Sequence, residues 1–176
     1  MHSKAIVAAA TAFVALLPTT LAGKAKIENK CPDTLYMWPI AHTGSVEKIS
    51  IAPGDSYEEE MRTNDNGGGI SLKLGKSETD EKVSQFEYTL SPDGDKVFYD
   101  LSNIDGYPFA DDGVTITPSD GSCPVVTCPA GEELCKDAYN VWNDDHATKG
   151  CPSSTDLTMT VCTGGNKKRH PRQFTV

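Results

Sequence analysis

Nowhere does the 176-residue sequence hold an uninterrupted apolar run of the ~20 residues that a membrane-spanning helix requires. It has no Asn-x-Ser/Thr acceptor, so N-linked glycans are not expected. It has no Cys-x-x-Cys pair, and its four histidines do not gather near cysteine, which leaves thiolate–metal sites without their usual spacing. No Gly-x-Ser-x-Gly occurs, and His42, His146 and His170 sit in turn-like or tail surroundings, so a serine-hydrolase triad has no starting point. Positive charge is scarce, with 16 Lys and Arg against 25 Asp and Glu. Nucleic acid and anionic membrane are therefore poor partners, and cationic ligands, metal ions or neutral polymers fit better.

What is present begins with an export signal. Lys4 precedes an apolar stretch over residues 5–17, Pro18 breaks it, and Thr20-Leu21-Ala22 supplies small residues ahead of a cleavage point. The expected organisation is a signal peptide over 1–22, one domain over 23–165 and a tail over 166–176. In that tail Lys167-Lys168-Arg169 offers a dibasic processing site. Loss of Lys4 with the leader takes the 16 basic residues to 15 against 25 acidic ones, a mature charge of −10. Secretion places the chain outside the cell or at the cell wall, where Cys31, Cys123, Cys128, Cys135, Cys151 and Cys162 read as three disulfides of unassigned pairing.

Hydrophobic periodicity is two along most of the domain. Phe86, Tyr88 and Leu90 alternate with Gln85, Glu87 and Thr89; Val97, Tyr99 and Leu101 with Phe98 and Asp100; Leu157, Met159 and Val161 with Thr158 and Thr160. This is the pattern of strands with one face buried. Weaker strands are expected at 24–30, 35–38, 46–51, 56–62, 70–74 and 114–117. Between them fall turn clusters such as Pro53-Gly54-Asp55, Asn66-Gly67-Gly68-Gly69, Ser91-Pro92-Asp93-Gly94-Asp95 and Asp111-Asp112-Gly113. Short strands at this spacing give an all-β sandwich or barrel. One short helix is expected from 132 to about 142, within a disulfide-bound loop over 121–155. Glu58-Glu59-Glu60 reads as a solvated edge, and Trp38 and Phe86 as core. The Asp-Gly turns hint at calcium loops but lack EF-hand order.

Several stretches carry a family likeness. Ile51-Ala52-Pro53-Gly54-Asp55-Ser56-Tyr57, then Phe86-Glu87-Tyr88-Thr89-Leu90 with Phe98-Tyr99-Asp100-Leu101-Ser102-Asn103-Ile104-Asp105-Gly106-Tyr107, and then Cys135-Lys136-Asp137-Ala138-Tyr139 occur in the order found in thaumatin-like proteins. The spacing C-x4-C-x6-C-x15-C-x10-C from Cys123 to Cys162 is similar to that family's framework without its large disulfide-rich insertion. In length and cysteine number the chain resembles the small fungal, yeast-phase-specific (Blastomyces-type) antigenic branch. The resemblance implies a thaumatin-like β-sandwich with pairs Cys31–Cys162, Cys123–Cys151 and Cys128–Cys135. It implies no cofactor, a monomer, and an acidic cleft at Glu87, Asp100, Asp105 and Asp144, with Lys73 where the family has arginine. Lysine lacks the planar fork that orders two carboxylates, so the family's activity does not transfer automatically.

The residues themselves leave several uses open for that cleft. Glu87 and Asp100 are polar positions on strands able to form a hairpin, so both project from one face. Such carboxylates can simply be solvated, hold a hard cation, bind sugar hydroxyls beside Tyr107, Phe109 or Trp142, or cleave a glycosidic bond. The leading expectation is a secreted, non-enzymatic protein that binds cell-wall polysaccharide such as β-glucan, or a host surface protein. A weak endo-β-1,3-glucanase acting through Glu87, Asp100 and Asp105 is the catalytic alternative. In a third reading, an elicitor or antigen is recognised through its surface and the cleft is idle.

Overall fold

The computed structural model describes residues 22–41, 47–64 and 67–164. The expected leader, the processing tail, His42 and His170 lie wholly or almost wholly outside them, as does the start of the strand expected at 46. Eleven strands run in chain order: β1 (Lys24–Asn29), β2 (Leu35–Ile40), β3 (Ile49–Ile51), β4 (Ser56–Glu60), β5 (Ile70–Gly75), β6 (Ser84–Leu90), β7 (Lys96–Ser102), β8 (Val114–Pro118), β9 (Val126–Cys128), β10 (Lys149–Pro152) and β11 (Leu157–Val161). They form a five-stranded sheet in the order β4-β1-β11-β8-β9 and a six-stranded sheet in the order β10-β7-β6-β5-β2-β3.

The period-two pattern becomes the sandwich directly. Ile27, Met159, Ile116 and Val126 of the first sheet, and Met37, Leu72, Phe86, Tyr99 and Leu101 of the second, are fully buried in one shared core. The polar positions between them face outward on both sheets. On the five-stranded sheet these include Thr158 opposite Thr117, Thr160 opposite Thr115, and Thr115 opposite Thr127, beside Lys24–Glu58 and Lys26–Glu28 ion pairs.

The first and last strands pair in parallel, Ala25 opposite Leu157 through Asn29 opposite Val161. Cys31–Cys162 closes the end of that ladder, while Cys123–Cys151 and Cys128–Cys135 staple the long loops, as the family likeness implied.

Four details depart from the sequence reading. The helix expected over 132–142 does not form; the only helical turn among the described residues is a 3-10 turn at Asp145–Ala147. Other partners take the backbone groups that a helix would use. Tyr139 donates its N–H to the Leu101 carbonyl and accepts from the Asn103 N–H, so the segment runs along the end of β7. Asn140 donates Nδ2 to the Cys135 and Ala138 carbonyls, and Asp144 Oδ2 accepts from the Asn140 and Val141 N–H groups. The loop read over 121–155 also contains β9 and β10. Glu59 is not part of a solvated edge: it points inward on β4, accepting from Tyr57 at 2.7 Å and from Tyr88. Trp38 is not core but half-buried on the outer side of β2.

Replacing Cys31 and Cys162 together by serine should cost about 4–5 kcal/mol, the chain-entropy value for a crosslink spanning so long a loop. The loop spans 131 residues. Denaturant unfolding of the double variant with the other two disulfides intact measures the loss; an unchanged midpoint would refute it.

Candidate functional site

The outer face of the six-stranded sheet is a grid set by strand register. One row runs Ile40, Ser71, Glu87, Asp100 across β2, β5, β6 and β7. The neighbouring row runs Trp38, Lys73, Gln85, Ser102. Glu87 and Asp100 are thus direct cross-strand partners, close enough for each to act on the other's ionisation. Two carboxylates so placed repel each other, so one of them favours its protonated form.

Burial is the first reason that proton is held. It pushes Asp100 up to about 7, reinforced by the Glu87 charge. Burial likewise raises Glu87, opposed by a hydrogen bond from Ser71 and by the charge of Lys73. Asp100 Oδ1 is buried with no hydrogen-bond partner, a further penalty on its ionised form. Up to about pH 7 Asp100 therefore favours its protonated form.

Lys73 extends toward the same face but ends on Asp105, Nζ to Oδ2 at 2.7 Å. Asp105 stands in the loop after β7, where Gly106 adopts φ +123° and a Cβ would lie 2.7 Å from Lys82 Cβ. Only glycine suits that bend. The Asp105 carbonyl also accepts from the Val83 N–H, tying the loop to the segment that precedes β6. Beyond the Lys73–Asp105 pair opens a groove of about 490 Å³ lined by Trp38, Ile40, Lys73, Asp80, Glu81, Val83 and Asp105.

Of the sequence candidates, Glu87, Asp100, Lys73 and Asp105 therefore meet on one face. Asp144 is used differently, since its carboxylate caps its own loop and is lowered by the Asn140 and Val141 N–H groups. Phe109 is fully buried under Lys76 and offers no stacking surface. Tyr107 is half-buried and its hydroxyl has no partner. Trp142 stands out on the 129–145 loop, 83% exposed. Trp38 was missed because Leu35-Tyr36-Met37-Trp38 reads as continuously apolar. Burial of Leu35 and Met37 is the signal that turns Trp38 outward. The Asp93 and Asp112 turns are accounted for without calcium. Asp93 accepts from Ser91 Oγ and the Asp95 N–H, and Asp112 pairs with Lys76.

Comparison with known proteins agrees with this fold. Residues 12–163 match the family described as Blastomyces yeast-phase-specific protein. The chain belongs to that thaumatin-like family. It is 47% identical to an antigenic thaumatin-like protein of Arthroderma benhamiae, over 99% of this chain and 90% of that one. It is 38% identical to the secreted thaumatin-like protein calA of Emericella nidulans, over 83% and 85% respectively. Among solved structures it resembles the protein elicitor MoHrip2 of Magnaporthe oryzae, with TM-score 0.67 and 26% identity over 80% of this chain and 99% of that one. The thaumatin-like xylanase inhibitor TLXI shares the fold at TM-score 0.54 and 11% identity, over 78% and 98%.

Both carboxyls keep protons to higher pH when folded than when unfolded, so folding takes up protons between about pH 4 and 7 and stability declines as pH rises through that window. Asp100→Asn should flatten this decline and exceed the parent at pH 8 by roughly 2–4 kcal/mol. Urea midpoints from pH 4 to 8 check the sign; a variant less stable than the parent at pH 8 would contradict the raised Asp100 carboxyl.

Proposed function

We propose that this thaumatin-like protein is secreted and acts without catalysis, binding a neutral cell-wall polysaccharide across the outer face of its six-stranded sheet. The Glu87–Asp100 cross-strand pair, with Asp100 buried and inclined to keep its proton, is the observation that carries this reading. Glycoside hydrolysis uses two carboxyls about 5–10 Å apart, one on each side of the scissile bond. Glu87 and Asp100 stand side by side in one row of the sheet, rather than facing each other across a groove, so they do not flank a bond from opposite sides. Lys73 is spent on Asp105 and Asp100 favours its neutral form, so the face is less acidic than its number of carboxyls suggests. What remains is a rigid set of donors and acceptors suited to hydroxyl-rich ligands.

Export is supported by the leader pattern and by the description of the Emericella relative as secreted. Cleavage ahead of Gly23 fits the fold, because the Gly23 N–H is bonded to Ser153 and a side chain there would meet the Thr155 carbonyl at 2.2 Å. A host-facing role is the second reading, favoured by the description of the Magnaporthe neighbour as an elicitor. In that role the Glu87→Gln/Asp100→Asn variant keeps the full host response.

Cosedimentation with insoluble β-1,3-glucan should deplete the protein from solution, and no reducing sugar should be released over hours. Protein left wholly in the supernatant would overturn the binding reading. Sugar release that disappears in Glu87→Gln would overturn the non-catalytic one.

A further inference from the structure

The geometry points to Trp38 as the floor of a subsite that takes a glucosyl ring of a neutral β-linked glucan, with the Lys73–Asp105 pair reading two adjacent hydroxyls. This rests on the polysaccharide-binding reading and adds where the ring sits and what selects it.

The indole is placed as a platform. Phe86, Tyr88 and Tyr99 of the same sheet turn into the core, whereas Trp38 remains half-buried on the outside, lining the groove. On β5, Gly75 stands diagonally across from it, two register pairs away from Lys73. A Cβ on Gly75 would lie 3.3 Å from the Trp38 ring at Cζ3 and 3.0 Å from Asp80 Cβ and Oδ2. The edge of the ring therefore lies close to Gly75, where a larger residue would press on it. Gly75 lies within the strand and is not among the residues at positive φ, so turn geometry does not account for glycine there; room for the Asp80 side chain and the indole edge does.

The groove is the right size and chemistry for one or two sugar units. Its volume of about 490 Å³ falls within the usual range for small-molecule sites. Ile40 and Val83 add apolar wall beside the indole. A β-linked glucose ring has all its hydroxyls equatorial, which leaves two flat C–H faces, one for the indole and one for solvent. Lys73 Nζ and Asp105 Oδ2, 2.7 Å apart, set a donor beside an acceptor, the arrangement a vicinal diol satisfies with one oxygen on each. The rim also sets a charge filter. Asp80, Glu81 and Asp105 face a single cation, Lys73, so a uronate ring meets net repulsion. Asp80 is fixed in place by accepting from the Lys76 and Ser77 N–H groups and from Ser77 Oγ.

The protein has two tryptophans, so Trp142→Phe leaves Trp38 as the sole indole reporter. Titration of that background with laminarihexaose should give a saturable change in fluorescence and a Kd by calorimetry. Trp38→Ala should weaken that Kd at least tenfold, Trp38→Phe should recover part of the loss, and Gly75→Ala, which tilts the ring without removing it, should cost severalfold. Thermal midpoints of each variant separate misfolding from lost contact, and Gly75→Ala and Trp38→Phe keep the test alive if Trp38→Ala does not fold. Tri-galacturonate should not bind. Normal binding by Trp38→Ala with loss in Glu87→Gln would overturn this subsite and keep the binding face. Absence of any binding by the parent would remove both, and equal affinity for tri-galacturonate would overturn the charge filter.

Discussion

The parallel pairing of β1 with β11 is the constraint on which the molecule depends. It joins the two ends of the folded chain inside one sheet, so β4 on one side and β8 with β9 on the other have a common ladder to attach to. Parallel neighbours so far apart in sequence are entropically expensive to bring together. The Cys31–Cys162 bond offsets that cost by closing the same long loop in the unfolded chain. With the first sheet closed, its apolar face supplies the surface against which the hairpins of the second sheet pack.

That second sheet matters for what it holds on its far side. Because β5, β6 and β7 are antiparallel neighbours in fixed register, Ser71, Glu87 and Asp100 have no choice but to stand in line. Two acids placed opposite each other on adjacent strands repel when both are ionised. The protein resolves this by burial, which favours the neutral form of Asp100. An apparently acidic cleft is thus closer to a neutral hydrogen-bonding surface with an aromatic groove at its edge.

Much of this was legible in the sequence, and the reasons differ by element. Alternation in 85–90 and 96–102 revealed both strands and placed Glu87 and Asp100 on a common side, because side-chain direction follows from period two alone. The segment over 132–142 misled because its helix-compatible composition says nothing of Asn140 and Asp144 capturing backbone groups, or of β7 offering an edge to Tyr139. Trp38 was hidden by its apolar neighbours, and Glu59 by the two glutamates flanking it. The raised Asp100 carboxyl was not legible at all, since it depends on depth of burial.

The sandwich has two unlike outer surfaces, and this asymmetry has a consequence for presentation. A layer two sheets thick that adheres through one side must turn the other toward the medium. The side turned outward would then be the threonine ladder of β8, β9 and β11 with its lysine–glutamate border. Adhesion would convert a freely tumbling protein into an oriented coat, showing every approaching molecule the same hydroxylated exterior.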